Sequence, residues 1–477
     1  MIFLSEFFFI ITHIIKLDNL FIYFRSVRLE TRQQVRRLQH HPSIAIFATN
    51  NENEVALRQN WYNTEKSFKL FADDYEKLYV DTITDEIMKN DNSHSVLTSS
   101  PSNGIFNDEK EYGIARNPQD PHYGDIHYYN IVLNGWDSKI YLDPRFASEY
   151  GFQSFPAGFN VVLRPGVDDM TNLINHRQHH PDKNGPIEII VNHNLQIDWN
   201  NTTWDDKVYL SQLSQAMAIK AETEHYRAGR GGIGKTMGAL FWQLNDVWVA
   251  PSWSSIEYNG NFKILQHWIK IIFASQSLIT QFEKDDHLHI YGVSDQINAE
   301  PQPMVVIMKI FKWSDFRVVH QREYNFTMQP NAVVDVINHF DFHEFLNQNQ
   351  YDVFHHLAEF SLLDMDDNVI TKNFVFPELF KTIKSVKDPK LTINIAKSRC
   401  ENNFHRVAIE IKIQSPAIFI YIELRNLDIP KYRLSKNGFM QLEPIQTLQV
   451  TFDNPKCQFN VTTSDFFVKT LNKFVMQ

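Results

Sequence analysis

The texture of this chain changes once, near residue 275, and that change narrows the folds open to it. Before it, short apolar runs at 44–47, 96–101, 124–129, 146–149 and 237–244 alternate with helical patterns at 29–39, 68–88, 207–226 and 262–273. Strands that alternate with helices imply a parallel sheet with helical crossovers. After it, strand-like runs at 287–293, 304–311, 354–363, 391–396, 407–413, 418–424, 448–452 and 459–463 follow one another with turn signals between them. That spacing predicts two immunoglobulin-like β-sandwiches, divided at the charged linker 384–390. The expected class is therefore α/β followed by all-β. The first half offers five strands, where a closed (β/α)8 barrel needs eight.

Within the first half, residues 43–61 concentrate the chemistry. The run Ile44-Ala45-Ile46-Phe47 reads as a buried strand, and Thr49, Asn50, Asn51, Glu52, Asn53 and Glu54 crowd in behind it. A helical pattern with Val55, Leu57 and Trp61 follows. Polar groups at the C-terminal end of a buried parallel strand are where α/β folds keep their active sites. A carboxyl held partly out of water there suits a general acid, so Glu52 is a candidate. A polar strand-to-helix turn capped by Asn51 or Asn53 accounts for the same residues. The run 145–154 repeats the layout, a short strand that ends in Glu149 and then Gly151. Two carboxylates on different strand ends can flank one glycosidic bond.

Other function classes find less support. The net charge of −10 and the lack of a basic patch interleaved with aromatics speak against nucleic acid. Gly229 to Thr236 matches the phosphate-binding pattern GxxxxGK(S/T) letter for letter. That motif must follow a strand and open a helix, whereas here a helix precedes it and a strand follows, so no nucleotide is expected. The pairs His40-His41, His179-His180 and His355-His356 lack zinc-protease spacing, and neither a metal nor any cofactor is expected. The two cysteines, Cys400 and Cys457, allow either one disulfide or two free thiols. Sequons at Asn200, Asn201, Asn325 and Asn460 fit glycosylation on a secretory route. Residues 1–23 are apolar but broken by Glu6 and His13. They fit neither a signal peptide nor a membrane-spanning helix, and no membrane partner is expected.

Three segments carry a family resemblance: HHPSIAIFATNNENEVALRQNWY, SEYGFQSFP and MGALFWQLNDVWVAPSWSS. They are similar, in order and spacing, to the animal lysosomal-type β-mannosidases of glycoside hydrolase family 2. The resemblance runs from about residue 26 to the C-terminus. It implies that the five strands are strands four to eight of a TIM barrel, with the first three and the N-terminal sandwich domains missing. The expected division is an anomalous segment 1–24, a partial barrel 25–275, a β-sandwich 276–383 and a second immunoglobulin-like sandwich 390–477. It also implies retaining exo-hydrolysis of terminal β-D-mannose from glycoprotein oligosaccharides, in the lysosome. Glu149 resembles the nucleophile and Glu52 the acid/base. Asn51 would bind the sugar 2-hydroxyl, Tyr128 with His127 would orient the nucleophile, Trp242 would floor the −1 subsite, and Trp61 would add a wall. The family usually has Gly where this chain has Thr49, so a different backbone is expected there. The competing expectation is an inactive fragment that serves only as a carbohydrate- or protein-interaction module.

Overall fold

The computed structural model describes residues 2–3, 17–104, 110–111, 114–157, 170–401, 404–425, 431–453 and 461–476. The chain separates into two units, one made of 1–128, 142–150 and 232–240, the other of 129–141, 151–231 and 241–477.

The first unit is built on short strands. β1 (Ile2–Phe3), β2 (Ile46–Ala48) and β3 (Ser95–Leu97) form one sheet, parallel throughout. β4 (Lys110–Glu111) and β5 (Ile114–Ala115) form a small antiparallel pair. β6 (Ile126–Tyr128), β7 (Ala147–Tyr150) and β8 (Ala239–Phe241) form a third sheet, with β6 and β7 parallel. The strands that carry the candidate residues thus lie in two separate three-stranded sheets.

The helix Leu17–Leu38 starts well before the predicted 29 and crosses the boundary expected at residue 24. It buries Val35 and Leu38 against Phe47 of β2 and Ile87. Its charges, expected to be solvated, are partly paired: Arg32 Nε reaches Glu86 Oε1 at 2.7 Å and Arg28 reaches Asp85 at 2.9 Å. The predicted helix 68–88 becomes Phe68–Tyr75, a π-helical stretch Glu76–Thr84, and Asp85–Asn90. Widening the turn still leaves Tyr75 and Tyr79 in a core with Leu57 and Ala72. The glycine-rich segment lies between the helix Trp204–Gly229 and β8, the helix-loop-strand order expected from sequence. Thr236, the last residue of the motif match, spends its hydroxyl on the Pro144 carbonyl at 2.5 Å.

The second unit is built on longer strands, several of them apolar on both faces. β9 (Gln276–Phe282), β10 (Leu288–Ser294), β11 (Gln302–Lys312), β12 (Val318–Met328), β13 (Val333–Phe340), β14 (His356–Leu363) and β15 (Val369–Val375) make two antiparallel sheets, ordered β13-β10-β9 and β12-β11-β14-β15. Their core includes Ile290, Val306, Met308, Ile310, Phe360 and Leu362, all fully out of water. Each such side chain contributes roughly 1.5–3 kcal/mol. β16 (Thr392–Glu401), β17 (Phe404–Lys412), β18 (Ala417–Leu424), β19 (Tyr432–Leu434), β20 (Phe439–Gln441), β21 (Ile445–Phe452) and β22 (Phe466–Lys469) repeat the arrangement as β16-β17-β21-β19 and β20-β18-β22. Cys400 of β16 is disulfide-bonded, and Cys457 lies outside the described residues. Of the strand expected at 459–463, residues 459–460 lie outside the described residues, and residues 461–463 are not in a strand. Thr463–Asp465 form a 3-10 turn closed by a capping box at Thr462, and the strand follows at β22.

The long helix Trp204–Gly229 starts at Thr203, whose hydroxyl accepts the Asp206 amide at 3.3 Å. Asp206 is buried and is held by Lys469 and by Lys473 at 2.8 Å. Tyr209 on the same helix donates its hydroxyl to the Phe419 carbonyl at 2.7 Å.

Candidate active site

The site grows from the C-terminal ends of β2, β3, β6 and β7, all in the first unit. After β2 the backbone is tied to the neighbouring strand end. Thr49 N donates to Leu97 O at 3.0 Å, Ser100 N to Asn50 O at 3.1 Å and Glu52 N to Ser100 O at 2.7 Å. The expected change at Thr49 takes another form. Thr49 keeps a negative φ and its hydroxyl donates to Thr98 O at 2.8 Å, whereas Glu52 itself takes φ +62°. A left-handed residue other than glycine is uncommon, and here it sits at the start of the helix Asn53–Arg58. Asn50 anchors the turn, with Nδ2 donating to Thr98 O at 2.5 Å and Oδ1 accepting from Ser99 and from the Asn53 amide.

β6 and β7 bring the other carboxylate into place. Their register sets His127 directly opposite Glu149 and Tyr128 opposite Tyr150. His127 is almost fully buried, Glu149 is 11 % exposed at its side chain and Glu52 is 25 % exposed. His127 Nδ1 lies 2.9 Å from Glu52 Oε1 and 3.7 Å from Glu149 Oε2. One ligating atom from each of the three side chains falls within 4.8 Å of the others. Two carboxylates and an imidazole therefore meet at one point, although their residues are far apart in sequence.

Behind His127 runs a buried polar chain that sequence reasoning missed. His127 Nε2 is 3.1 Å from Ser100 Oγ, and Ser100 donates to Asp125 Oδ2 at 2.5 Å. Ser148 donates to the same oxygen at 2.6 Å, and the Ser102 amide donates to Asp125 Oδ1 at 2.9 Å. As a carboxylate, Asp125 only accepts, so the Ser100 proton is committed to it. Ser100 then accepts from His127 Nε2–H, and Nδ1 faces Glu52 across one shared proton. Gly124 makes room for this arrangement. It has φ +46°, and a Cβ there would stand 1.8 Å from the Ser102 carbonyl. The one sequence signal was Gly-Asp immediately before the β6 run.

The remaining candidates divide. Asn51 bridges to Ser100 in parallel fashion, and its Oδ1 is buried without a hydrogen-bond partner among the described residues. Tyr128 is partly buried at the end of β6. Trp61 was expected on the helix, but the helix ends at Arg58. Trp61 lies beyond it, 43 % exposed, with Nε1 donating to Gln59 Oε1 at 2.8 Å. Trp242 follows β8 and belongs to the second unit. There its carbonyl leaves no space for a side chain at position 151, where a Cβ would approach it to 2.3 Å. Asn200, Asn201 and Asn325 are exposed, and Asn460 lies outside the described residues.

Residues 286–382 match the Mannosidase Ig/CBM-like domain. The β-mannosidase of Capra hircus is 34% identical over 438 residues, which cover 89% of this chain and 48% of the goat protein. The β-mannosidase of Rattus norvegicus is 38% identical over 303 residues, 61% of this chain and 34% of the rat protein. Among solved structures, the β-D-mannosidase of Dictyoglomus thermophilum superimposes with a TM-score of 0.73 at 20% identity. The match covers 96% of this chain and 51% of that one. Over most of its length the chain is similar to the β-mannosidases, and it shares the fold of the bacterial structure. It spans about half the length of the curated relatives it matches.

Proposed function

We propose that this relative of the β-mannosidases carries the catalytic carboxylate pair of a retaining exo-β-mannosidase acting on terminal, non-reducing β-D-mannose of glycoprotein oligosaccharides. The observation that carries this reading is the approach of Glu52 and Glu149 to within 4.8 Å. Retaining glycosidases hold their two carboxyls about 5–5.5 Å apart, and inverting ones need more room for a water. Glu149, the deeper of the two, attacks the anomeric carbon while Glu52 protonates the departing glycosidic oxygen. In the second step Glu52 takes a proton from water, and the resulting hydroxyl displaces Glu149 from the sugar. His127, set between them, orients both. The unpartnered Oδ1 of Asn51 accepts from the sugar 2-hydroxyl, a bond that strengthens in the transition state. Tyr128 orients Glu149, and Trp61 adds an outer wall.

In this reading β2, β3, β6, β7 and β8 are strands four to eight of a TIM barrel within 25–275, followed by sandwiches at 276–383 and 390–477. Exposed sequons at Asn200, Asn201 and Asn325 and the mammalian relatives support a lysosomal address. One observation favours the inactive-fragment reading instead. Among the described residues, β1-β2-β3 and β6-β7-β8 are separate sheets, not one continuous parallel ring. Hydrolysis of an aryl β-mannoside by the purified chain decides between the two. Turnover that vanishes in Glu149→Ala and first releases the β-anomer supports the enzyme, and a folded chain without turnover overturns it.

A further inference from the structure

A second cluster of ionisable groups lies far along the chain, where the β9–β10 hairpin meets β13. Asp285 sits in the hairpin turn, His289 on β10 and His339 on β13. Asp285 Oδ2 accepts from His339 Nδ1 at 2.7 Å and lies 3.7 Å from His289 Nε2. One ligating atom from each falls within 4.8 Å of the other two. His287 adds an imidazole, its Nδ1 3.4 Å from the same carboxylate oxygen.

The state of His289 is what distinguishes this cluster from an ordinary surface network. His289 is 4 % exposed, yet its Nε2 has no hydrogen-bond partner among the described residues. A buried, unmatched ring nitrogen costs free energy and calls for a partner. The other side of the ring shows which form Nε2 takes. Tyr291 donates its hydroxyl to Glu283, so that oxygen is left to accept from His289 Nδ1, 3.3 Å away. With the proton held on Nδ1, Nε2 presents a bare lone pair toward Asp285. An outer carboxylate and hydroxyl that hold one ring nitrogen so the other can ligate are the usual surroundings of a metal-binding histidine.

The backbone agrees. β10 and β13 pair Leu288 with Phe340 and Ile290 with Ile337, so β13 carries one extra residue between these pairs. His339 lies in that bulge at φ +50°. Bulges of this kind re-aim a side chain, and this one brings His339 beside Asp285. We infer that Asp285, His289 and His339 form a binding site for a divalent transition cation, zinc by donor preference. Zinc favours imidazole nitrogen with carboxylate oxygen in a tetrahedral shell, and His287 or a water supplies the fourth position. On binding, the proton that His339 Nδ1 now donates to Asp285 passes by way of solvent to the ring's other nitrogen, Nε2, and the freed Nδ1 lone pair turns to the metal. The ion would fasten the hairpin turn to β13. The inference stands apart from the proposed hydrolytic activity and uses none of its residues.

Equilibrium dialysis of the full chain against zinc chloride, after chelator treatment, tests it. Glu52, His127 and Glu149 also offer ligands, so Glu149→Gln is measured alongside. The expected result is one zinc per chain in the unaltered protein and in Glu149→Gln, with affinity lowered about 10–100-fold in His339→Gly and in Asp285→Asn. Glycine suits the positive φ at 339, and asparagine retains the Asp285 oxygen that caps the turn, so a folding defect in one variant leaves the other to answer. Cobalt in place of zinc should give the visible absorption of a four-coordinate ion. The inference is overturned if no zinc binds, if both ligand variants bind as tightly as the parent, or if binding is lost in Glu149→Gln.

Discussion

The strands that hold the candidate site and those of the first sandwich solve opposite problems. β2, β3 and β6 are three residues long and β7 is four, whereas β11 and β12 run for eleven each. The short strands and the residues at their ends bury polar groups: Ser99, Ser100, Asp125, His127, Ser148 and Glu149. The long strands bury Val306, Met308, Ile310 and Phe360. Buried polar groups are tolerable only when hydrogen-bonded. The short strands therefore hold their geometry through a side-chain chain from Glu52 to Asp125, and the long ones through apolar contact and long ladders. One region spends its buried groups on the candidate site and the other on cohesion, so mutations should separate them.

The largest expected effect is on activity alone. Glu149→Gln should lower aryl β-mannoside turnover by at least ~10³-fold with no change in melting temperature. Activity within tenfold of the parent would end the nucleophile assignment. Phe360→Ala should do the reverse and cost about 3–5 kcal/mol in urea unfolding, with KM for the aryl mannoside unmoved. A small stability loss there would mean that the sandwich core is less cohesive than its burial suggests. Ser100→Ala tests the point where the two regimes meet, a stabilising hydrogen bond that serves the site. It should cost about 1.5–3 kcal/mol, read as a tenfold or greater fall in kcat with KM little changed. Equal losses in kcat and in unfolding midpoint would make Ser100 merely structural. Thr203→Ala should remove about 1 kcal/mol through the lost cap of the helix Trp204–Gly229, and should leave kcat as it was.

The two carboxylates of the candidate site were legible in the sequence, for a physical reason. Glu52 and Glu149 each follow a short apolar run, and such runs mark where buried strands deliver their C-terminal residues. The supporting chain was not legible. Ser100 meets Asp125 across 25 residues and His127 meets Glu52 across 75, and no periodicity records such pairings. Trp61 was placed on a helix because Val55 and Leu57 carry the pattern forward, but the helix stops at Arg58. In the β-rich part, runs such as 304–311 and 418–424 stood out because both faces of those strands are largely apolar. β12 escaped because it is an edge strand whose residues, VVHQREYNFTM, mostly face water.

Sequence alone determined the order of elements, the change from alternating strands and helices to consecutive strands, and the residue types available at each strand end. These are local properties, set by side-chain periodicity and turn chemistry. Only the tertiary structure decided that His127 stands opposite Glu149, that Glu52 takes a left-handed backbone to reach it, and that a bulge in β13 carries His339 to Asp285. Register and hydrogen-bond choice belong to pairs of segments distant along the chain. They are set by which arrangement leaves the fewest buried polar groups unmatched, a property of the folded whole.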